Sequence, residues 1–309
     1  MKVADFHCDL LSYLADDVNR TAYDPASRAS IPLLQKGGVG LQTLAIYTKT
    51  LQGAVESGEK QAEIFFELPK KYSIFGTEIK TVAAIENASS FCDETEPLER
   101  GLERLEGWFE KAKKIAYISL TWNEENRFGG GNATSIGLKP DGLKLLQWMS
   151  GKKIAVDLSH TSDQLAEDIL KAIENLEITP IASHSNFRKV SQHPRNLPDH
   201  VAKEIGARGG LIGLNFVRVF LGGRSPEDFI RQVEHADKLG LLDHLCFGAD
   251  FFADHAVLPE LHYLIPWFFD GFDQAGCYPQ VIGLLEKQLP HAIVEKIAYQ
   301  NLTQFLGFL

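Results

Sequence analysis

The fold class this sequence predicts is α/β, a parallel (β/α)8 TIM barrel, and three observations predict it. Eight short apolar or β-branched runs recur along the chain. Helical patterns lie between most of them, as in a repeated strand–helix unit. The 309 residues carry no Pro/Gly/Ser-rich linker and no low-complexity segment, so residues 1–309 read as one catalytic domain. A doubly wound open sheet is the competing architecture. Strand count and length favour the barrel.

The strand candidates are Val3–Phe6, Val39–Tyr47, Thr81–Ile85, Ile115–Leu120, Ile154–Leu158, Pro180–Ala182, Leu211–Phe216 and Leu245–Phe247. Each is a short apolar run bounded by polar or turn residues. Helical patterns cover Gly53–Leu68, Pro97–Lys114, Asp141–Ser150, Ser162–Ile173, Pro198–Ile205, Ser225–Leu239, Gln280–Lys287 and Pro290–Phe308. The second starts with Pro and Glu and ends in Lys-Ala-Lys-Lys, which suits the helix dipole. Gly151 and Gly240 stand where helix stops are expected. Arg20–Pro32 reads as an excursion after the first strand. The aromatic stretch Phe251–Asp273 reads as a long loop or short helix after the last. The run Gly129-Gly-Gly131, with Asn123 and Asn126, reads as a flexible loop and lacks a phosphate-binding fingerprint.

Composition excludes several classes. The net charge of -10 offers no basic field to a nucleic acid. No apolar run approaches the roughly 18–20 residues of a membrane span. Asp5, His7 and Asp9 interrupt any leader-like core at the start, so the expectation is a cytoplasmic protein. Cys8, Cys92, Cys246 and Cys277 have no C-x-x-C spacing and read as buried free thiols.

The chemistry gathers at strand ends. His7-Cys8-Asp9 closes the first run, and alternation turns His7 and Asp9 one way and Cys8 the other. Glu86 ends the third, Trp122-Asn123 follow the fourth, His160 the fifth, His184 the sixth and Asp250 the eighth. In a barrel these ends meet at one mouth. Three imidazoles and three carboxylates in one small volume are costly unless they pair or bind metal. The set suits two divalent ions, with zinc taking nitrogen and oxygen ligands. Glu86, on a strand between the others, is the natural bridge.

These pieces also carry a family resemblance. Asp5-Phe-His-Cys-Asp-Leu-Leu11, Ile85-Glu-Asn87, Leu120-Thr-Trp-Asn123, Asp157-Leu-Ser-His160, Ser183-His-Ser185, Arg195-Asn-Leu-Pro-Asp199 and Gly248-Ala-Asp-Phe251 occur in order. The chain resembles the membrane (renal) dipeptidase family of the metallo-dependent amidohydrolases over nearly its whole length. The resemblance implies a barrel of the metal-dependent hydrolase type with two zinc ions, splitting small dipeptides, including those with a D-residue at the C-terminal side, by a metal-bridging hydroxide. It implies that His7 and Asp9 bind one zinc, that Glu86 bridges, and that His160 and His184 bind the second. By the same resemblance Asp250 would shuttle a proton, and Arg195 would hold the substrate carboxylate with its bidentate fork. Trp122 stands where animal members carry a His that contacts the reacting carbonyl. Asn123 or the second zinc is expected to replace that contact, with Trp122 walling the pocket. A carboxylate-binding Tyr of those members has no counterpart near Asn215-Phe-Val217.

Blander readings stand beside these. Arg195 is also placed to pair with Asp199, and Asp250 to serve as a third carboxylate ligand or to cap a following helix. The remaining histidines read as surface or core residues, with His255 and His262 the exceptions to watch because they follow Asp250. Trp267-Phe-Phe269 reads as core or a subunit contact. A homodimer is the assembly left open. Two rival functions remain: a related amidohydrolase acting on N-acyl amino acids, cyclic amides or lactones, and a non-catalytic metal or small-ligand binding protein.

Overall fold

The computed structural model describes residues 1–254 and 259–307. Eight parallel strands, β1 (Val3–Cys8), β2 (Val39–Tyr47), β3 (Lys80–Glu86), β4 (Ile115–Ser119), β5 (Ala155–Asp157), β6 (Pro180–Ile181), β7 (Ile212–Leu214) and β8 (Leu245–Phe247), form one sheet. They pair in the order β6-β5-β4-β3-β2-β1-β8-β7. A parallel bridge between Ala182 and Ile212 joins the two edges and closes the cylinder. The barrel, rather than the open sheet, is therefore the fold. All eight expected strands are present, and β5 to β7 are shorter than their apolar runs. Close approach of backbones contributes there: a Cβ on Gly213 would lie 1.9 Å from the Ser183 carbonyl oxygen, so only glycine fits.

Two apolar layers hold the cylinder. Ala4, Phe6, Leu41, Val82, Ala84 and Tyr117 fill its interior together with Leu302 and Leu306 from the chain's last helical stretch. The larger layer lies between strands and surrounding helices and contains Val3, Cys8, Leu44, Ile85 and Ile118. The four cysteines are free and buried, as expected. Trp267 and Phe268 belong to the outer core. The expected terminal helix is present as an α segment His291–Glu295, a π turn Lys296–Gln300 and an α segment Asn301–Phe305; Phe308 lies outside the described residues. Four short helices, Leu10–Asp16, Ile31–Lys36, Ile74–Thr77 and Arg218–Leu221, lie outside the expected helical patterns. Each is too short for apolar periodicity to register against its neighbours. Among the described residues no helix is long and apolar enough to cross a membrane.

Register decides which side chains enter the barrel. Along β1 the β2 partners run from Gln42 opposite Asp5 to Leu44 opposite Cys8, so β1 carries one extra residue. That bulge breaks strict alternation. Ala4 and Phe6 point inward, yet Cys8 points to the outer layer, so parity reverses between Phe6 and Cys8. Asp5 secures the bulge. Its buried carboxylate accepts from the His7 N–H at 2.9 Å and the Ala249 N–H at 3.3 Å, and from the Tyr278 hydroxyl. A second shift between β3 and β4 leaves both Ala116 and Tyr117 inward.

Candidate metal centre

The strand ends converge as anticipated. His7, Asp9, Glu86, His160, His184 and Asp250 form three overlapping groups: His7, Asp9 and Glu86; Glu86, His160 and His184; and His7, His184 and Asp250. Within each group the potential ligand atoms lie within 4.8 Å of one another. Glu86 stands between the first two. Its Oε2 is 3.3 Å from His7 Nε2, while its Oε1 is 2.9 Å from His160 Nε2 and 3.5 Å from His184 Nε2. Asp9 Oδ1 and Asp250 Oδ1 each lie 3.8 Å from His7 Nε2.

Hydrogen bonds behind the rings assign their tautomers. His160 Nδ1 sits 2.7 Å from Asn123 Oδ1, an acceptor, so Nδ1 carries the proton. His184 Nδ1 is 2.6 Å from Ser183 Oγ, whose own hydrogen goes to Asp157 Oδ2 at 2.7 Å. Ser183 therefore accepts from His184. His7 Nδ1 is 2.6 Å from the Tyr117 hydroxyl, which donates to the Phe6 carbonyl at 3.3 Å. All three Nε2 lone pairs thus face one volume. Fixing a ligand's tautomer from behind in this way is the usual arrangement in metal sites.

This arrangement fits a cation. His160 Nε2 and His184 Nε2 lie 2.9 Å apart with two lone pairs opposed. Burial pushes both imidazoles well below their usual pKa, with Arg195 and His7 adding to the effect, so a bridging proton is disfavoured. His7 Nε2 and Asp9 Oδ1 are buried without a hydrogen-bond partner among the described residues. Burial also pushes the carboxyls up: Asp9 well above its usual value, Glu86 to about 8 against the pull of Arg195, and Asp250 to about 6. Nitrogen and carboxylate donors in this number suit divalent first-row ions.

The raised carboxyls give a pH test. Folded Glu86 and Asp250 bind protons more tightly than in the unfolded chain, so their stabilising contribution is complete at low pH and fades as pH rises through about 6 and about 8. Chelator-treated protein should therefore lose melting temperature between pH 5 and 8, by a free energy on the order of a few kcal/mol. Metal-loaded protein should not. Calorimetry across that range checks it, and parallel curves with and without chelator contradict it.

Around the cluster, Trp122 is half-buried, packs edge-on to Tyr47 at 5.4 Å and tilts over His160 at 5.9 Å between ring centroids. It forms a wall. The glycine loop is not loose. Asn126 is 2% exposed and bonds to Asn87, Ser89 and the Leu120 carbonyl. A Cβ on Gly131 would meet the Trp122 carbonyl oxygen at 1.9 Å, so glycine lets this loop press against Trp122-Asn123. Arg195 is buried and donates to Ser185 Oγ at 3.1 Å and the His184 carbonyl at 3.2 Å. Its Nε has no hydrogen-bond partner among the described residues, and Asp199 pairs instead with His235 at 2.9 Å. The surface ion-pair reading of Arg195 therefore falls. Asp250 bonds to Asn215 rather than capping a helix.

His200, His235, His244 and His291 each have a local partner away from the cluster. His193 accepts from the Arg195 N–H at 3.1 Å. His262 lies in the 3-10 helix Pro259–Leu264, and His255 lies outside the described residues. Tyr117, Asp157, Ser183 and Asn215 were missed as site residues. Asp157 stands three residues before His160 and Ser183 one residue before His184, a usable signal. Tyr117 reaches His7 only through the β4 register shift, which no local pattern announces.

A closed parallel barrel with histidines and carboxylates gathered at the C-terminal strand ends is a metal-dependent hydrolase scaffold of the amidohydrolase type. The family model "Membrane dipeptidase (Peptidase family M19)" matches residues 1–307, and the chain belongs to that family. A dipeptidase of Clonostachys rogersoniana is 34% identical over 181 residues, 56% of this chain and 43% of that protein. A dipeptidase of Claviceps purpurea is 28% identical over 204 residues, 62% of this chain and 44% of that protein. The matched stretches thus span less than half of those two relatives. A metallo peptidase from Rhodobacter sphaeroides, solved with a phosphinate mimic of the dipeptide L-Ala-D-Ala, superposes with a TM-score of 0.84 at 18% identity, over 99% of both chains. That likeness bears on the fold.

Proposed function

We propose that this protein is a metal-dependent dipeptidase holding two divalent ions, most naturally zinc. The observation that carries the reading is Glu86, whose two oxygens face separate halves of the histidine–carboxylate cluster. His7 and Asp9 would hold one ion, His160 and His184 the other, with Glu86 shared. Ions held there supply a nucleophilic water at neutral pH and polarise the scissile carbonyl.

The protein's own groups do the rest. Arg195 is a buried guanidinium with an unpartnered Nε and no ion pair among the described residues. A substrate's free C-terminal carboxylate would satisfy it in bidentate fashion. Phe220, 5.6 Å from its guanidinium carbon, backs the fork. Trp122 and Asn123 line the opposite side; the Asn123 oxygen is engaged on His160, which makes orientation of that ring its main contribution. Asp250 Oδ1 faces the cluster. It takes a proton from the attacking water and returns it to the leaving amine nitrogen.

Small dipeptides with a free C-terminal carboxylate, those with a D-residue at that side included, are the substrate class. N-acyl amino acids present the same carboxylate and form the second reading. Turnover of a panel of L,L- and L,D-dipeptides by zinc-reconstituted protein, set against N-acyl amino acids, tests both. Hydrolysis of acyl amino acids alone would displace the dipeptidase reading. No turnover on any amide with metal bound would favour a binding protein.

Arg195→Lys keeps the charge but loses the fork. KM for dipeptides should rise on the order of 10- to 100-fold, with kcat less affected, in line with the roughly 1.5–3 kcal/mol of a charged hydrogen bond. Dipeptide amides, which lack the carboxylate, should show no such difference between variant and parent. Equal KM changes for acids and amides would remove Arg195 from carboxylate recognition.

A further inference from the structure

Asn215 follows β7, is fully buried, and has both ends of its side-chain amide committed. Its Oδ1 accepts from the Val217 N–H at 2.7 Å, so its Nδ2 must face the other way. That Nδ2 donates to Asp250 Oδ2 at 2.8 Å and to the His184 carbonyl at 3.3 Å. The backbone of Asn215 is held as well. Its N–H donates to Asn186 Oδ1 at 3.1 Å and its carbonyl accepts from Asn186 Nδ2 at 3.0 Å. This reciprocal clasp ties the loop after β7 to the loop after β6, two residues beyond His184. Asp250 is constrained from its own side too. It adopts a left-handed φ of 61°, and its N–H donates to the His7 carbonyl at 3.2 Å.

We infer that Asn215 is a positioning residue for the reaction, holding Asp250 Oδ2 so that Oδ1 alone meets the substrate. The inference rests on the reading of Asp250 as the proton-transfer group. A carboxylate free to rotate offers either oxygen in several positions; one directed donor selects a single presentation. Misplacement of a reacting group by about 1 Å can cost on the order of 100-fold in rate. The O–H bond forms and breaks at Oδ1, and Asn215 keeps its own protons throughout.

Asn215→Ala, Asn215→Asp, Asp250→Asn and the double variant Asn215→Ala/Asp250→Asn, all zinc-reconstituted, separate this role from a packing role. Steady-state dipeptide hydrolysis and zinc content per chain are the readouts. Asn215→Ala should lower kcat on the order of 10- to 100-fold with KM and zinc content unchanged. Asn215→Asp should lose at least as much despite its matching size, because it sets an oxygen against Asp250 Oδ2. In the Asp250→Asn background Asn215→Ala should cost nothing further. Additive losses in the double variant, rescue by Asp, or a loss carried by KM or zinc content would each overturn the inference. Turnover by Asp250→Asn at the parent rate would overturn the proton-transfer reading and this inference with it. Loss in Asp250→Asn without loss in Asn215→Ala would overturn this inference alone.

Discussion

Glu86→Gln should lower kcat/KM for dipeptide hydrolysis by about 10³-fold or more and reduce bound metal per chain. The substitution preserves shape but replaces one carboxylate oxygen with an amide NH2, which cannot act as a ligand. Because Oε1 and Oε2 face different halves of the cluster, the variant removes the donor from one metal position and, by losing the negative charge, weakens the oxygen left at the other. The loss should exceed the 10–100-fold typical of losing an outer partner of a ligand. It should also relieve stress in metal-free protein. Glu86 is held up at about 8 by burial, so chelator-treated Glu86→Gln should melt higher than chelator-treated parent at pH 8. Elemental analysis, kinetics and calorimetry on the two proteins read all three. Full activity with full metal content would refute the role given to Glu86.

Asp250→Asn separates two roles the geometry allows for that residue. Asp250 shares a possible ligand group with His7 and His184, and it also presents Oδ1 towards the cluster with Oδ2 tied back. As a proton carrier its loss should lower kcat by roughly 10²- to 10⁴-fold, the usual range for general acid–base groups, with metal content intact. As a ligand its loss should empty part of the site. Metal content measured beside kcat distinguishes them, and depletion in step with activity would reassign Asp250 to metal binding.

Much of the site was legible because its residue types are rare together at strand ends. His7, Asp9, Glu86, His160, His184 and Asp250 were all identifiable from the rule that barrel strands deliver their C-terminal ends to one mouth. The supporting shell was less legible. Asp157 and Ser183 lay inside recognisable strings, but their relay to His184 depends on β5 and β6 being neighbours. The Asn123 amide reads from sequence as a substrate contact; that its oxygen also orients His160 is visible only in the structure. The glycine run looked loose because glycine marks both flexible turns and tight backbone approaches, and only the neighbouring Trp122-Asn123 backbone distinguishes the two.

That the sheet closes into a barrel rests on the pairing of Ala182 with Ile212, but eight strands alternating with helices, their order and the kinds of ligand at the strand ends are legible in the chain alone. Those properties follow from local chemistry, namely apolar runs at strand length, helical periodicity between them and ionisable residues just beyond. Tertiary structure alone decided which way those ligands face. In β1, strict alternation from Ala4 and Phe6 would have turned His7 away from the barrel interior. One extra residue, secured by the Asp5 carboxylate and paired across to β2, turns it inward. Register is set by pairing with a neighbouring strand, and a one-residue slip exchanges the two faces. That information resides in contacts between segments distant in the chain.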